Sequence, residues 1–367
     1  MNGINTLTLT LALSLTGAIS PLAQGRRLPQ SARTVAPQVQ TKQPSAQGND
    51  QIKAPQYKVA VESNLVALDV LVTDEDGNVL SSLKRENFRI LDNGKPQAIT
   101  SFASTNNPIT IVMLLEYSGI AYDYFAYKGA YWGAQFLNHL DAKDWVALVT
   151  YDLKPTIQVD FTHNKVDVQN ALGSLSYPAF REANLFDALV DTLDRLDRMP
   201  GKKAILLITT GANTFGEATL DETIARIKKT DVTIFCVGMA EREYMTAQTN
   251  TPVAYLQAKN QLETFANLTG GLAWFPRFEG EMSSLFRSVV GFLRSEYQLG
   301  FSPPAPALDG KYHKLKVEVI GPDGKPLRVT NAKGKQRKVI VYARQGYVAA
   351  KAPNKPKTER TDTRRTP

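Results

Sequence analysis

Ile109-Thr-Ile-Val-Met-Leu-Leu115, Trp145-Val-Ala-Leu-Val-Thr-Tyr151, Lys203 to Thr209 and Val232 to Val237 are the runs that decide the fold. Each is short and almost continuously apolar, the pattern of a strand buried on both faces of a parallel sheet. Helical spacing fills the intervals. It covers Tyr127 to Leu140, Val166 to Leu175, Leu220 to Lys229, Pro252 to Leu268 (stopping at Gly270-Gly271) and Glu279 to Leu293. Leu185, Leu189, Leu193 and Leu196 fall three or four apart within a further helix, Leu185 to Met199. Thr156 to Phe161 reads as an edge strand and Leu272 to Phe275 as a last short one. This alternation across residues 108–295 predicts an α/β domain with a doubly wound, mostly parallel sheet. In such sheets ligands bind beyond the carboxyl ends of the strands. The loops to inspect therefore follow Leu115, Tyr151, Thr209 and Val237.

The flanks read differently. Leu65 to Val72 is a β-branched run that breaks at Asp76-Gly77, and Phe88 to Leu91 is a short strand. Asp92-Asn-Gly94 is a hairpin signal because Asn-Gly tolerates positive φ. Lys95 to Phe102 reads as the single partner strand. Beyond the α/β region, Tyr297 to Phe301, His313 to Ile320 and Val339 to Ala343 are strands, with a turn at Gly321-Pro-Asp-Gly324 and a close at Gly346-Tyr347. Either set alone is too small to bury a core. Residues 57–107 and 296–348 are therefore expected to form one small antiparallel β-sandwich into which the α/β domain is inserted.

The ends of the 367-residue chain read as processing and spacer segments. Leu7 to Ile19 has the length and apolarity of a signal-peptide core, and Ala23-Gln24-Gly25 offers small residues for cleavage. Residues 1–25 are expected to be a signal peptide, 26–56 a disordered linker rich in Gln, Pro, Ser and Ala, and 349–367 a disordered basic tail. The net charge of +8 resolves into +5 over residues 26–58, +4 over 349–367 and −1 between them. A near-neutral folded part argues against a nucleic-acid binder. One Cys and three His exclude a disulfide scaffold and a thiolate zinc site. No apolar run reaches the roughly 18 residues that a bilayer span needs. The expected location is secreted, periplasmic or cell envelope.

The loops carry Glu116-Tyr-Ser-Gly-Ile120, Glu182-Ala-Asn-Leu-Phe-Asp-Ala-Leu189 and Thr210-Gly-Ala-Asn-Thr214. Here the chain resembles a von Willebrand factor A domain, most closely the VWFA-related family first recognised in acidobacterial genomes. Asp92-Asn-Gly-Lys-Pro-Gln97, Asp309-Gly-Lys311 and Arg344-Gln-Gly-Tyr347 are similar to that family's lead-in and closing segments, so the resemblance spans about residues 57–348. It implies a divalent-cation site, MIDAS, built from Asp-x-Ser-x-Ser after the first strand, a Thr in a second loop and an Asp in a third. At those positions this chain holds Glu116, Ser118, Ile120, Ala183 and Thr210. Ile120 and Ala183 have no side-chain oxygen, and Thr210 replaces a carboxylate by a neutral hydroxyl. Mg²⁺ demands octahedral oxygen ligation. The expectation is a degenerate site with no metal and no cofactor; the alternative is a Mg²⁺-dependent ligand-binding protein.

Other chemistry has little support. Tyr117-Ser118-Gly119 lacks the Gly-x-Ser-x-Gly elbow, and His139, His163 and His313 are not placed beside Ser118. No phosphate-binding glycine motif follows a strand. Cys236 reads as a small buried hydrophobe. Tyr117, Tyr122 and Tyr124 gather after the first strand, and tyrosines suit protein contacts because they lose little rotamer entropy. With Asp152, Asn184 and Asn213 they form the candidate contact surface. The expectation is an exported, non-enzymatic interaction protein of adhesion or scaffold type, with a protein or cell-envelope component as partner. An enzyme of envelope metabolism is the second alternative.

Overall fold

A computed structural model describes residues 65–351, except 76, 105–106, 121–126, 176, 179, 248–250, 279, 295–296, 305–306, 308 and 331–333. The signal-peptide and linker readings, the tail beyond Lys351, and Tyr122 and Tyr124 lie outside the described residues.

The chain opens with β1 (Val66–Asp74), β2 (Phe88–Asp92), β3 (Lys95–Gln97) and β4 (Ser101–Ser104). The α/β region follows as β5 (Ile109–Glu116), α1 (Tyr127–Leu137), β6 (Trp145–Tyr151), β7 (Pro155–Thr162), α2 (Lys165–Ser174), α3 (Leu185–Leu196) and β8 (Lys202–Ile208). It continues through α4 (Leu220–Ile227), β9 (Thr233–Val237), α5 (Glu241–Ala247), α6 (Pro252–Thr269), β10 (Ala273–Trp274) and α7 (Glu281–Arg294). The chain then returns as β11 (Tyr297–Phe301), β12 (Tyr312–Val319), β13 (Arg328–Thr330), β14 (Gln336–Ala343) and β15 (Gly346–Val348).

Among the described residues the α/β sheet has six strands in the order β10-β9-β8-β5-β6-β7, parallel except for the antiparallel edge β7. Strand period two explains why it is covered on both sides. Along β5, Ile111, Met113 and Leu115 face one core with Trp132 and Phe136 of α1 and Phe286 and Val289 of α7. Val112 and Leu114 face the other with Leu185, Leu189 and Leu193 of α3 and Phe265 of α6. The helices start where the side chains cap them. Thr219 and Glu222 form a reciprocal capping box on α4, and Thr251 with Pro252 opens α6, which stops at Gly270 in the left-handed conformation.

The flanking strands make two antiparallel sheets, β13-β14-β1-β11-β4 and β15-β12-β2-β3, over a shared core of Leu68, Val70, Ile90, Leu299, Phe301 and Val317. Strands from both ends of the chain pair directly, since β1 lies between β11 and β14. The structure therefore is an α/β sheet inserted in an antiparallel sandwich. One expectation is corrected. Lys95 to Phe102 is two strands, not one: β3 pairs with β2, then the chain crosses and β4 pairs with β11 in the other sheet. Buried Ile99 sits at the crossing, its carbonyl receives the Arg85 guanidinium, and Thr100 N–H donates to Gly300 O at 2.7 Å. The short elements α5 and β13 carry no readable period and were not expected.

The junction sets the direction of the site. Arg344 donates to Thr230 O at 2.8 Å and Gln345 N–H to Leu268 O at 3.2 Å. Gly270 sits so close that a Cβ there would lie 2.7 Å from the Ala343 carbonyl carbon. The amino ends of β8 and β9 thus abut the sandwich, and the carboxyl-end loops point away from it.

In the sandwich the buried His313 and Asp92 form a cluster with exposed Asp309 at its edge. His313 Nδ1 lies 2.9 Å from Asp92 Oδ1 and Nε2 lies 3.2 Å from Asp309 Oδ1, while Tyr347 OH donates to Asp92 Oδ2 at 3.0 Å. Two carboxylates facing both ring nitrogens call for an imidazolium, which donates from each. Burial resists that charge, but the bonds to Asp92 and Asp309 outweigh it and raise the His313 pKa above its ordinary value. A raised histidine pKa gives stability that is fully present below the unfolded value, about 6.5, and is lost as pH rises through the folded value. Thermal melts should therefore show wild type losing its advantage over His313→Gln as pH climbs through that range. The variant should be about 1–3 kcal/mol less stable on the acidic side of that range. Parallel pH profiles for the two proteins would refute the assignment.

Candidate functional site

Three loops meet at the carboxyl ends of β5 and β8. Glu116 is the last residue of β5, and the pairing of Leu115 with Ile208 puts it beside Thr209 and Thr210 on the neighbouring strand's end. Glu116 is completely buried, and so is Ser118. A carboxylate without water needs protein donors. Ser118 Oγ donates to Glu116 Oε1 at 2.8 Å, Thr209 Oγ1 to Oε2 at 2.8 Å, and Thr210 N–H to Oε2 at 2.7 Å. The Thr210 hydroxyl lies 2.9 Å from Oε2 and 3.1 Å from Oε1. A carboxylate has about four lone-pair sites, and these hydroxyl and amide groups fill them.

The proton count extends the network. Thr209 has one hydroxyl hydrogen and gives it to Glu116, so in its 2.7 Å contact with Tyr151 the phenol is the donor. Thr209 Oγ1 also accepts from Gly211 N–H at 2.9 Å. Burial pushes the Glu116 carboxyl above its ordinary pKa, while the bonds from Thr209, Ser118 and Thr210 pull it back. Burial likewise raises Tyr151, with the Glu116 charge adding to it, so the phenol keeps its proton. The extra methylene of Glu over Asp is what lets a β5 side chain span to the β8 loop, since neighbouring strands stand about 4.8 Å apart.

The second loop is tied to the third by backbone and amide groups. Ala183 is buried with its methyl in the α3-side core, and it exchanges hydrogen bonds with Thr214 at 2.8 and 2.9 Å. Asn184 is also buried: Nδ2 donates to Leu153 O at 2.9 Å and Oδ1 accepts from Phe215 N–H at 3.1 Å. Asn213 Oδ1 accepts from Phe186 N–H at 3.1 Å, capping α3 from another loop. Asp187 accepts from Ala218 N–H at 2.7 Å and Glu217 N–H at 3.1 Å. The first loop joins through Gly119 N–H to Phe180 O at 2.8 Å and Tyr117 N–H to Tyr151 O at 2.7 Å.

The five residues expected at the cation positions take different roles. Glu116, Ser118 and Thr210 form one buried hydrogen-bonded knot, Ala183 is core, and Ile120 is half-buried. Of the candidate contact residues, Tyr117, Asp152 and Asn213 are half-buried and Asn184 faces inward. Sequence reasoning missed Tyr151 and Thr209, whose part depends on cross-strand register. It also missed the exposed aromatics of the second and third loops: Tyr177, Phe180 and Phe215 are 80%, 48% and 66% exposed. Their signal was available, because a large apolar residue in an aperiodic loop has no core to serve. Among the described residues no group of three His, Cys, Asp or Glu is placed to hold a metal ion. His163 lies against Trp145, ring centroids 3.7 Å apart and planes tilted by 37°.

Two expected outcomes follow from the knot. Glu116→Gln turns one acceptor into a donor facing hydroxyls, and should lower the urea-unfolding free energy by about 1–3 kcal/mol. Asn213→Ala removes the cap on α3 and should cost about 1 kcal/mol by the same measurement.

Comparison with known proteins gives the following. The family model described as von Willebrand factor type A domain matches residues 114–267. No curated protein matches the chain. Among solved structures, the chain is similar to proximal thread matrix protein 1 from the mussel byssus at 14% identity and a TM-score of 0.41, covering 53% of this chain and 50% of that one. It is similar to BatB from Bacteroides thetaiotaomicron at 16% identity and a TM-score of 0.39, covering 51% of this chain and 98% of that one. It is also similar to a von Willebrand factor type A protein from Catenulispora acidiphila at 13% identity and a TM-score of 0.42, covering 72% and 73%. The chain thus spans half the length of the mussel protein.

Proposed function

We infer that the von Willebrand factor type A domain of this chain is a protein-interaction module that works without a metal ion. One observation carries the reading: the Glu116 carboxylate, the charged group at the ancestral cation position, already has its lone pairs committed to Ser118, Thr209 and Thr210. The remaining positions fit a cation no better. Ile120 and Ala183 offer no oxygen, and a single carboxylate would stand against a dication that asks for octahedral oxygens. Binding energy must then come from contacts that need no cation. Tyr177, Phe180 and Phe215 suit this, because exposed aromatics on loops fastened to a rigid sheet give large contact area at small entropic cost.

The partner is a protein or a cell-envelope component, and the chain acts outside the cytoplasm. What supports this is the apolar segment Leu7 to Ile19 followed by Ala23-Gln24-Gly25. Among the described residues no helix is long and apolar enough to cross a membrane. No catalytic role is assigned. The hydroxyl of Ser118 is sealed from solvent and already donates to Glu116.

Two measurements test the reading. Titration calorimetry with Mn²⁺ or Mg²⁺ should give no saturable heat with wild type. A variant combining Glu116→Asp, Ile120→Ser, Ala183→Thr and Thr210→Asp should gain one. A one-to-one heat from wild type would sink the metal-free reading and return the Mg²⁺-dependent one. In capture from native envelope extract, EDTA should change nothing, while Phe180→Ala with Phe215→Ala should weaken retention by about tenfold or more at an unchanged melting temperature. Undiminished capture by that double variant would remove the aromatic surface.

A further inference from the structure

The positive charge of this chain is not confined to its tails. Residues 311–367 hold 16 Lys and Arg against 4 Asp and Glu, so the preceding folded part is acidic enough to hide them in the total. The density peaks at residues 324–338, which carry Lys325, Arg328, Lys333, Lys335, Arg337 and Lys338 and no acidic residue. This stretch is the β13–β14 hairpin and its approach. Arg328 is paired opposite Lys338, so period two sets them on one face, and both are exposed, as are Lys325 and Lys335. Arg337 turns to the other face, half-buried and 3.9 Å from Glu75. Like charges placed directly opposite each other destabilise a strand pair, so this arrangement asks for an external anion.

A groove of about 430 Å³ lies beside the hairpin. Lys325, Arg328 and Gln336 line it with donors, over Pro322, Pro326 and Leu327. Asp323 also lines it, and its Oδ1 is engaged by Lys325 N–H at 3.1 Å. We propose that this hairpin is a docking surface for a membrane bearing anionic phosphate headgroups. Cations over a small apolar floor match a headgroup above its acyl chain; a soluble polyanion leaves that floor without a partner. The hairpin also lies at the right place. It is at the end of β14 remote from Ala343, about 23 Å along the strand from the junction, whereas the aromatic loops point away from the sandwich. The proposal does not rest on the metal-free reading of the loops.

Co-sedimentation of the full chain with vesicles tests it. Vesicles with about one third phosphatidylglycerol in phosphatidylcholine should retain the protein at low salt, and pure phosphatidylcholine should not. Raising NaCl to about 0.3 M should release it, because exposed charges are screened beyond a Debye length. Combining Lys325→Glu, Arg328→Glu, Lys335→Glu and Lys338→Glu should reduce retention about tenfold or more, with an unchanged melt since all four side chains are exposed. Phe180→Ala with Phe215→Ala should leave retention intact. Three results would overturn the proposal. One is full retention of the hairpin variant. Another is loss only when Arg360, Arg364 and Arg365 of the tail are changed to Glu. The last is equal affinity for soluble polyphosphate, which would make the surface a polyanion site instead.

Discussion

A charged group with no access to water must be compensated by whatever the protein places around it. Glu116 meets that demand with Ser118 from its own loop and with Thr209 and Thr210 from the end of β8. Removal of any one of these donors leaves the carboxylate short, and loss of the carboxylate leaves several hydroxyls without an acceptor. The loops after β5 and β8 are therefore held together through the Glu116 carboxylate. The remaining loop is drawn in by Asn184, Asn213 and Thr214, each of which spends its side chain on a neighbour's backbone. These bonds fasten the described parts of the loops to one another, and such pre-organisation favours aromatics as binding anchors.

Legibility from sequence follows burial. β5, β6, β8 and β9 are covered on both faces, so they appear as short, almost continuously apolar runs. The sandwich strands alternate, and β12 with its buried Leu315, Val317 and Val319 was readable on that account. The corner at Ile99 was not, because an alternating pattern looks the same whichever sheet receives it. Three-residue β13 is too short to show a period at all. At the site, the loss of oxygens at Ile120 and Ala183 was plain from residue identity. What Glu116 does instead was not, because its partners are fixed by register between strands far apart in the chain. The aromatic reading went to Tyr117, Tyr122 and Tyr124 after β5, of which the described one, Tyr117, is half-buried. Single aromatics such as Phe180 and Phe215 make no cluster in sequence, and their exposure appears only in the fold.

Charge shows a similar masking. Opposite signs in different parts of one fold cancel in a sum, so a near-neutral total over residues 59–348 coexists with a strongly basic hairpin. The sign of a surface is a local property. In this molecule the local view separates a polar-knotted, aromatic loop surface from a cationic hairpin.

The way the α/β region is set into its host has a consequence for modularity. β4 leads into it and β11 leads out, and these strands are antiparallel neighbours in which Ser104 faces Tyr297. A hairpin turn of a few residues would span that gap as well as the whole inserted body does. The sandwich is thus topologically complete without its passenger, because its strand pairing closes on either side of the insertion point.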